Sequence, residues 1–209
     1  RSNKTNAVER VFEAVTKTLP PLNTSLNSEQ IQKIKLQAEF LGEGYLGHLR
    51  YATHHDHNLT NCHPRIRKHN VLSRNLALAG NFNMTNANDL FKQLIKYGLN
   101  PVGESDTQVI LENLSHAIDE EHRLLRMQLG SGSFQNLQGK ELASNLSKEL
   151  NLIRALKKGA EDWDGAFFFA GFLGNGDGFL CRDAAGIRPG FILQTENFIA
   201  AASERAALA

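Results

Sequence analysis

The chain has 209 residues, enough to bury one hydrophobic core, so a single domain or one domain with an appendage is expected. Its 23 Lys and Arg residues balance 22 Asp and Glu residues, which argues against nucleic acid or an acidic membrane surface as a partner. The longest apolar run, residues 166–173, is too short to span a bilayer, and two widely separated cysteines make no disulfide framework. These features predict a soluble protein and fit the reducing cytoplasm.

The first part of the chain has the pattern of two helices. Apolar residues recur at helical spacing through residues 6–19, until two prolines end the pattern. A second helix is predicted for residues 29–40. We interpret residues 1–43 as a helical insertion or peripheral layer, and residues 44–209 as the main domain.

The main domain mixes strand and helix patterns. The predicted strands are residues 45–51, 75–79, 165–173, 179–182, 190–194 and 198–202. The predicted helices are residues 88–96, 106–117, 141–158 and 203–209. An Asn-Gly-Asp-Gly sequence between two of the strands supplies the positive φ angles that a tight hairpin needs. Antiparallel strands segregated from helices suit an α+β sandwich.

Three polar segments carry candidate binding chemistry. The first is Gly-His-Leu-Arg-Tyr-Ala-Thr-His at residues 47–54, the second contains Asn81 and Phe82, and the third contains Asp106. A free amino acid presents an α-carboxylate that suits a guanidinium and an α-ammonium that suits a carboxylate. A carbonyl that becomes tetrahedral during reaction is stabilised by N–H donors. Together the three segments can therefore clamp a free amino acid.

In their order and wording, these segments resemble the glutaminase domain of class II glutamine amidotransferases. The resemblance is strongest to the glutamine phosphoribosylpyrophosphate amidotransferases of purine synthesis, supported by the words Asn83-x-Thr85-Asn86 and Arg182-Asp183-x-x-Gly-Ile-Arg-Pro. It covers roughly residues 44–208. It implies an αββα N-terminal-nucleophile fold, a sandwich of antiparallel sheets covered by helices, here lacking its opening strands.

The resemblance assigns two parts of a substrate clamp. Arg50 holds the α-carboxylate of glutamine, with backbone groups around Thr53 and His54 assisting, and Asp106 receives the α-ammonium. From the residues alone, an arginine also fits a surface ion pair, and Asp106 stands where a helix N-cap is expected. Capping and ammonium binding are compatible if the neighbouring hydroxyl residues share the capping.

The resemblance also assigns an oxyanion hole to the Asn81 side chain and the Phe82 backbone N–H. Most members of the family read His-Asn-Gly where this chain reads Gly80-Asn81-Phe82. A backbone N–H survives any substitution except proline, but phenylalanine tolerates positive φ poorly, so the hole is either intact or distorted. The alternative for Asn81 is that it merely caps a turn.

The family's nucleophile is a cysteine at the start of the mature chain, whose own α-amine acts as its base. This chain starts with Arg1, and Cys62 and Cys181 are internal. We therefore expect either a piece of a longer protein, with the N-terminal cysteine segment and the phosphoribosyltransferase domain outside this chain, or a noncatalytic amino-acid-binding domain. As written, the chain is predicted to be inactive. Enzyme alternatives are the glutaminase domains of glucosamine-6-phosphate synthase and asparagine synthetase.

The implied partners are glutamine and a phosphoribosyltransferase domain of the same protein, and a homo-oligomer is compatible with the sequence. No cofactor is implied in this domain. Residues 54–63 gather four histidines and Cys62, but their spacing fits no zinc finger. We interpret this segment as the rim of the glutamine pocket and predict no metal.

Overall fold

A computed structural model of the chain describes residues 6–17, 19–21, 24–38, 41–49, 62–101, 103, 105–129 and 138–209. The chain divides into two compact units, Arg1–His63 and Pro64–Ala209. The predicted domain boundary after residue 43 stays a prediction.

The described part of the first unit contains two helices. Helix α1 spans Ala7–Thr16 and helix α2 spans Ser28–Gln37, both shorter than predicted. Asn27 begins α2 with a capping box, in which its side chain accepts the Gln30 N–H and the Gln30 side chain accepts the Asn27 N–H. The strand predicted for residues 45–51 is wrong for its described part. A strand forms only where a neighbour completes its ladder, which the pattern of one segment does not specify.

In its described residues, the second unit combines two antiparallel sheets with four α-helices. The strands are β1 (Arg65–Arg67), β2 (Leu76–Met84), β3 (Gly165–Leu173), β4 (Gly178–Arg182), β5 (Phe191–Gln194) and β6 (Ile199–Ala202). The helices are α3 (Ala87–Lys96), α4 (Asp106–Leu129), α5 (Gly139–Glu149) and α6 (Leu152–Gly159), with 3₁₀ turns at Leu72–Arg74 and Arg205–Leu208. The sheet orders are β1-β2-β3-β4 and β5-β6. The predicted α+β class with antiparallel strands is confirmed.

Strand β2 is longer than predicted. Its ladder with β3 continues from Leu76 to Met84, so the predicted end at Ala79 is wrong. The short strand β1, which pairs with the first residues of β2, lies outside the predicted strands. As a consequence, Asn81 and Phe82 lie inside a strand.

The long helix predicted for residues 141–158 is two helices. The backbone of Leu150 is extended, with ψ 118°, and ends α5. The side chain of Asn151 then accepts the Arg154 N–H at 3.0 Å and caps α6. The helix predicted for residues 203–209 is only a 3₁₀ turn, Arg205–Leu208.

One face of the four-stranded sheet packs against helix α4, and helices α3 and α6 pack on α4 and share the same core. Strand β2 contributes Leu76, Leu78 and Met84 to this core, and β3 contributes Phe167 and Phe169. The buried helix residues are Leu90, Leu94, Val109, Ile110, Leu111, Leu114, Ile118 and Ala155. Because side chains alternate along a strand, the intervening residues of β2 point to the opposite face of the sheet.

Partly buried and buried polar contacts tie the second half of α4 to β1 and its neighbouring turn. The Asp119 carboxylate accepts from both terminal nitrogens of Arg67, at 3.0 and 2.5 Å. The His122 imidazole, 4% exposed, lies with Nε2 3.1 Å from the Ser73 hydroxyl. Burial, and next the positive charge of Arg74, lower the pKa of His122 below its usual value of 6.5. The buried imidazole therefore favours its neutral form.

The free energy of unfolding should fall as the pH is lowered below about 6.5, because the unfolded chain then binds a proton that folded His122 resists. Above the unfolded pKa this contribution is fully present. His122→Gln keeps a side chain that can hydrogen-bond with Ser73 but cannot titrate, and should flatten the dependence of the free energy of unfolding on pH. Burial also lowers the pKa of His69, which leaves a residual slope in the variant.

Urea denaturation at about pH 7.5, 6.5 and 5.5 measures the effect in both proteins. If the free energy of unfolding changed equally with pH in the wild type and in His122→Gln, this account would be contradicted.

Candidate active site

The described candidate residues gather where strand β2 ends. The ladder with β1 stops at Leu78, whereas the ladder with β3 continues to Met84. Phe82 lies opposite Phe167, whose carbonyl oxygen accepts the Asp183 N–H on the other side of β3. Since Phe167 bonds to the β4 side, Phe82 and Phe167 form a non-hydrogen-bonded pair, in which the N–H groups of the two residues point away from each other. The Phe82 N–H therefore points to the outer edge of β2, as does the Met84 N–H two residues later.

Asp106, the first residue of α4, contacts this edge. Its Oδ2 accepts the Met84 N–H at 2.8 Å, and the residue is half-buried. Ser105 caps the helix, since its carbonyl oxygen and hydroxyl accept the Gln108 N–H at 2.8 and 3.4 Å. The alternative that Asp106 merely caps its own helix therefore does not account for its position.

Asn81 lies on the sheet face opposite the helices, and it is exposed. Because it is inside β2, the alternative that it caps a turn is wrong. The register places it opposite Phe168, which in turn pairs with Arg182 on β4. Gly190 packs on the Phe168 ring, where a Cβ would come within 2.4 Å of a ring carbon. The side chains of Asn81, Phe168 and Arg182 thus form a row across one face of the sheet.

The Phe82 backbone is not distorted. Among the described non-glycine residues, a positive φ occurs only at Asn6. The Phe82 ring points to the helix face, with its centroid 5.0 Å from that of Phe169. Gly80 makes room for this packing, because a Cβ there would lie 2.2 Å from the Phe169 Cβ. The departure from the family wording therefore leaves the Phe82 N–H in regular strand geometry.

The Arg-Asp-x-x-Gly-Ile-Arg-Pro segment is a structural turn. The Asp183 carboxylate, 5% exposed, accepts the N–H groups of Ile187, Arg188 and Phe167 at 2.7, 3.1 and 3.3 Å. Burial raises the pKa of Asp183, but these donors and the Arg182 charge outweigh it, so the pKa lies below its usual value. Arg182 donates to two carbonyl oxygens of the same turn. Asp183 therefore ties this turn to β3, and Arg182 ties it to the end of β4.

Three predicted substrate contacts cannot be placed. Arg50, Thr53 and His54 lie outside the described residues, as do His55 and His57, so their roles stay predictions.

In the part of the chain that the structure describes, no three His, Cys, Asp or Glu side chains are grouped so as to hold a metal ion. Within the same residues, no helix combines the length and apolar character needed to cross a bilayer.

Cys181 is unsuited to be a nucleophile. It lies on β4, packs against the apolar core and is half-buried. Burial raises the pKa of its thiol to about 11. At neutral pH only about one molecule in ten thousand then carries the thiolate, which is the reactive form.

The residue pattern does not identify the Met84 N–H as the partner of Asp106, because every residue except proline carries such a donor. The available signal is the polar word Asn83-x-Thr85-Asn86 around it.

Comparisons with known proteins identify the family. Residues 9–153, more than half of the chain, match the family described as glutamine amidotransferases class-II. The chain therefore belongs to the class II glutamine amidotransferases.

Among solved structures, the chain is similar to the glutamine phosphoribosylpyrophosphate amidotransferase from B. subtilis, complexed with ADP and GMP. The identity is 24% and the TM-score 0.52. The match covers 77% of this chain and only 28% of that chain. It confirms the predicted N-terminal-nucleophile fold. A comparison with curated proteins gives no significant match.

Proposed function

We propose that this chain is the glutaminase domain of a glutamine phosphoribosylpyrophosphate amidotransferase-like protein. Family membership supports glutamine as the substrate. The observation that carries the assignment of roles is the 2.8 Å hydrogen bond from the Met84 N–H to Asp106. It holds a carboxylate at the strand edge to which the Phe82 N–H also points, so an ammonium site and an oxyanion donor share one edge.

The spacing along this edge suits glutamine. The N–H groups of Phe82 and Met84 are two residues apart on one strand, about 6.7 Å. An extended glutamine spans about 6 Å from its α-nitrogen to its side-chain oxygen, across five bonds. The two lengths are similar, and we propose that glutamine lies along β2 with its ammonium at Asp106 and its amide oxygen at Phe82.

In the proposed reaction a cysteine thiolate attacks the side-chain amide carbon of glutamine. The resulting oxyanion is stabilised by the Asn81 side chain and the Phe82 N–H. Collapse of this intermediate expels ammonia, after the nitrogen has taken a proton, and leaves a thioester that water hydrolyses to glutamate. Arg50, Thr53 and His54 hold the α-carboxylate. The nucleophile is an N-terminal cysteine with its own amine as base.

The proposed acceptor of the ammonia is phosphoribosyl pyrophosphate, bound by a phosphoribosyltransferase domain of the same protein. Displacement of pyrophosphate there gives phosphoribosylamine for purine biosynthesis in the cytoplasm. The word Asn83-x-Thr85-Asn86 favours this acceptor over those of glucosamine-6-phosphate synthase and asparagine synthetase. The match to the B. subtilis enzyme covers only 28% of that enzyme chain, so we propose the acceptor domain without a counterpart in the matched residues.

The chain as it stands should release no ammonia from glutamine, because neither of its cysteines has a free α-amine and the Cys181 thiol is protonated. A coupled glutamate dehydrogenase assay measures the release. Ammonia production that is lost in Cys62→Ser or Cys181→Ser would show that the nucleophile has been assigned wrongly.

In a version extended by a segment that begins with a free cysteine, Asn81→Ala should lower kcat about 10²- to 10³-fold with little change in KM. An oxyanion donor acts mainly where charge develops. Asp106→Asn keeps an acceptor for the Met84 N–H but removes the charge, and should raise KM about tenfold or more.

Steady-state ammonia release over a glutamine series separates the two effects. A normal kcat in Asn81→Ala would remove that residue from the oxyanion hole. A normal KM in Asp106→Asn would remove that residue from the ammonium site.

A further inference from the structure

A set of polar contacts joins the end of β2 to the turn before β3. The Thr85 N–H donates to the Asp164 carbonyl oxygen at 3.0 Å, and the Thr85 hydroxyl donates to the Asp164 carboxylate. The Asn86 amide donates to the Asp162 carbonyl oxygen at 2.7 Å and accepts the Asp164 N–H at 3.2 Å. We call the side chains and backbone of Thr85, Asn86, Asp162 and Asp164 the β2 lock.

Gly165 brings the two segments together beside this lock. It lies opposite Met84 in the ladder and has φ 140°. A Cβ at this position would come within 2.4 Å of the Asn83 carbonyl oxygen and 2.8 Å of the Met84 Cα. Only glycine fits such a close approach with this φ. The last peptide of β2 is therefore held by Gly165 on one side and by the β2 lock immediately after it.

That peptide supplies the N–H that orients Asp106. Since Oδ2 is engaged by Met84 at 2.8 Å, Oδ1 is the oxygen that we assign to the ligand. A shift of the Met84 peptide would turn its N–H and release the carboxylate into other rotamers. Recognition of a charged group depends on side chains held by such supporting hydrogen bonds.

We propose that the β2 lock positions Asp106 for the α-ammonium of glutamine, which makes Thr85 and Asn86 positioning residues for substrate recognition. The inference rests on the proposed function, because it takes Asp106 as the ammonium site. This proposal explains the sequence Asn83-x-Thr85-Asn86, because Thr85 and Asn86 fix the Met84 peptide, whose N–H orients the Asp106 carboxylate.

The test compares two substitutions at one position in the chain as it stands. Thr85→Val keeps the shape but removes the hydroxyl, and Thr85→Ser keeps the hydroxyl. Titration calorimetry with L-glutamine, well below the melting temperature, should show binding weakened about three- to tenfold in Thr85→Val. Thr85→Ser should stay within about twofold of the wild type.

Asn151→Ala is the matched control for lost stability. It removes the cap of α6, whose Oδ1 accepts the Arg154 N–H, and so destabilises the same unit without touching β2. Its affinity for L-glutamine should equal that of the wild type. A comparable loss of affinity in Asn151→Ala would reduce the Thr85 effect to general destabilisation and overturn the proposal.

Amide hydrogen exchange at Met84 measures, without a ligand, how firmly the Met84 N–H is held in its hydrogen bond to Asp106. Thr85→Val should speed exchange of this amide about tenfold relative to the wild type, and Asn151→Ala should not. Normal L-glutamine binding by Thr85→Val, together with lost binding in Asp106→Ala, overturns the lock while the proposed function stands. No binding by the wild type overturns the proposed function and the inference together.

Discussion

The hydrogen bond from the Met84 N–H to Asp106 fixes the start of helix α4 against the end of strand β2. The apolar face of α4, including Val109, Ile110 and Leu114, then packs across the sheet. In its second half the helix is held again, by polar contacts of Asp119 with β1 and of His122 with the adjacent turn. A carboxylate at the start of a helix held in this way has little freedom to move, which is what recognition of one ammonium group requires.

Strand β2 also accommodates Gly80-Asn81-Phe82, where most members of the family read His-Asn-Gly. Phe82 fills space above Phe169 on the helix face, and Gly80 removes the side chain that would collide with Phe169. The small Gly80 and the large Phe82 thus complement each other on one face, while Asn81 between them lies on the opposite face. An oxyanion donor taken from the backbone is insensitive to such a change as long as the strand remains extended. In this chain the side-chain packing of Gly80 and Phe82 is therefore compatible with a backbone N–H in regular strand geometry.

Sequence reasoning predicted the elements whose local signals are strong. Strands β3 and β4 follow from an apolar run and an Asn-Gly turn, and helix α3 and the first half of α4 from periodicity and capping. The prediction ended α4 at residue 117, whereas the helix continues to Leu129. The end of β2 was missed because Gly80, Asn81 and Asn83 disfavour strand locally, and only the ladder with β3 overrides them. In the site, the residue types that could bind glutamine were readable from motifs. The partner of Asp106 was not, because a backbone N–H leaves no trace in residue identity.

A crystal structure of the chain soaked with L-glutamine tests the central claim most directly. The account predicts the α-ammonium nitrogen within about 3 Å of Asp106, and the amide oxygen within about 3 Å of the Phe82 nitrogen and the Asn81 side-chain nitrogen. The ligand would then lie along the outer edge of β2. Glutamine bound with its ammonium away from Asp106, or with its amide turned away from this edge, would contradict the account.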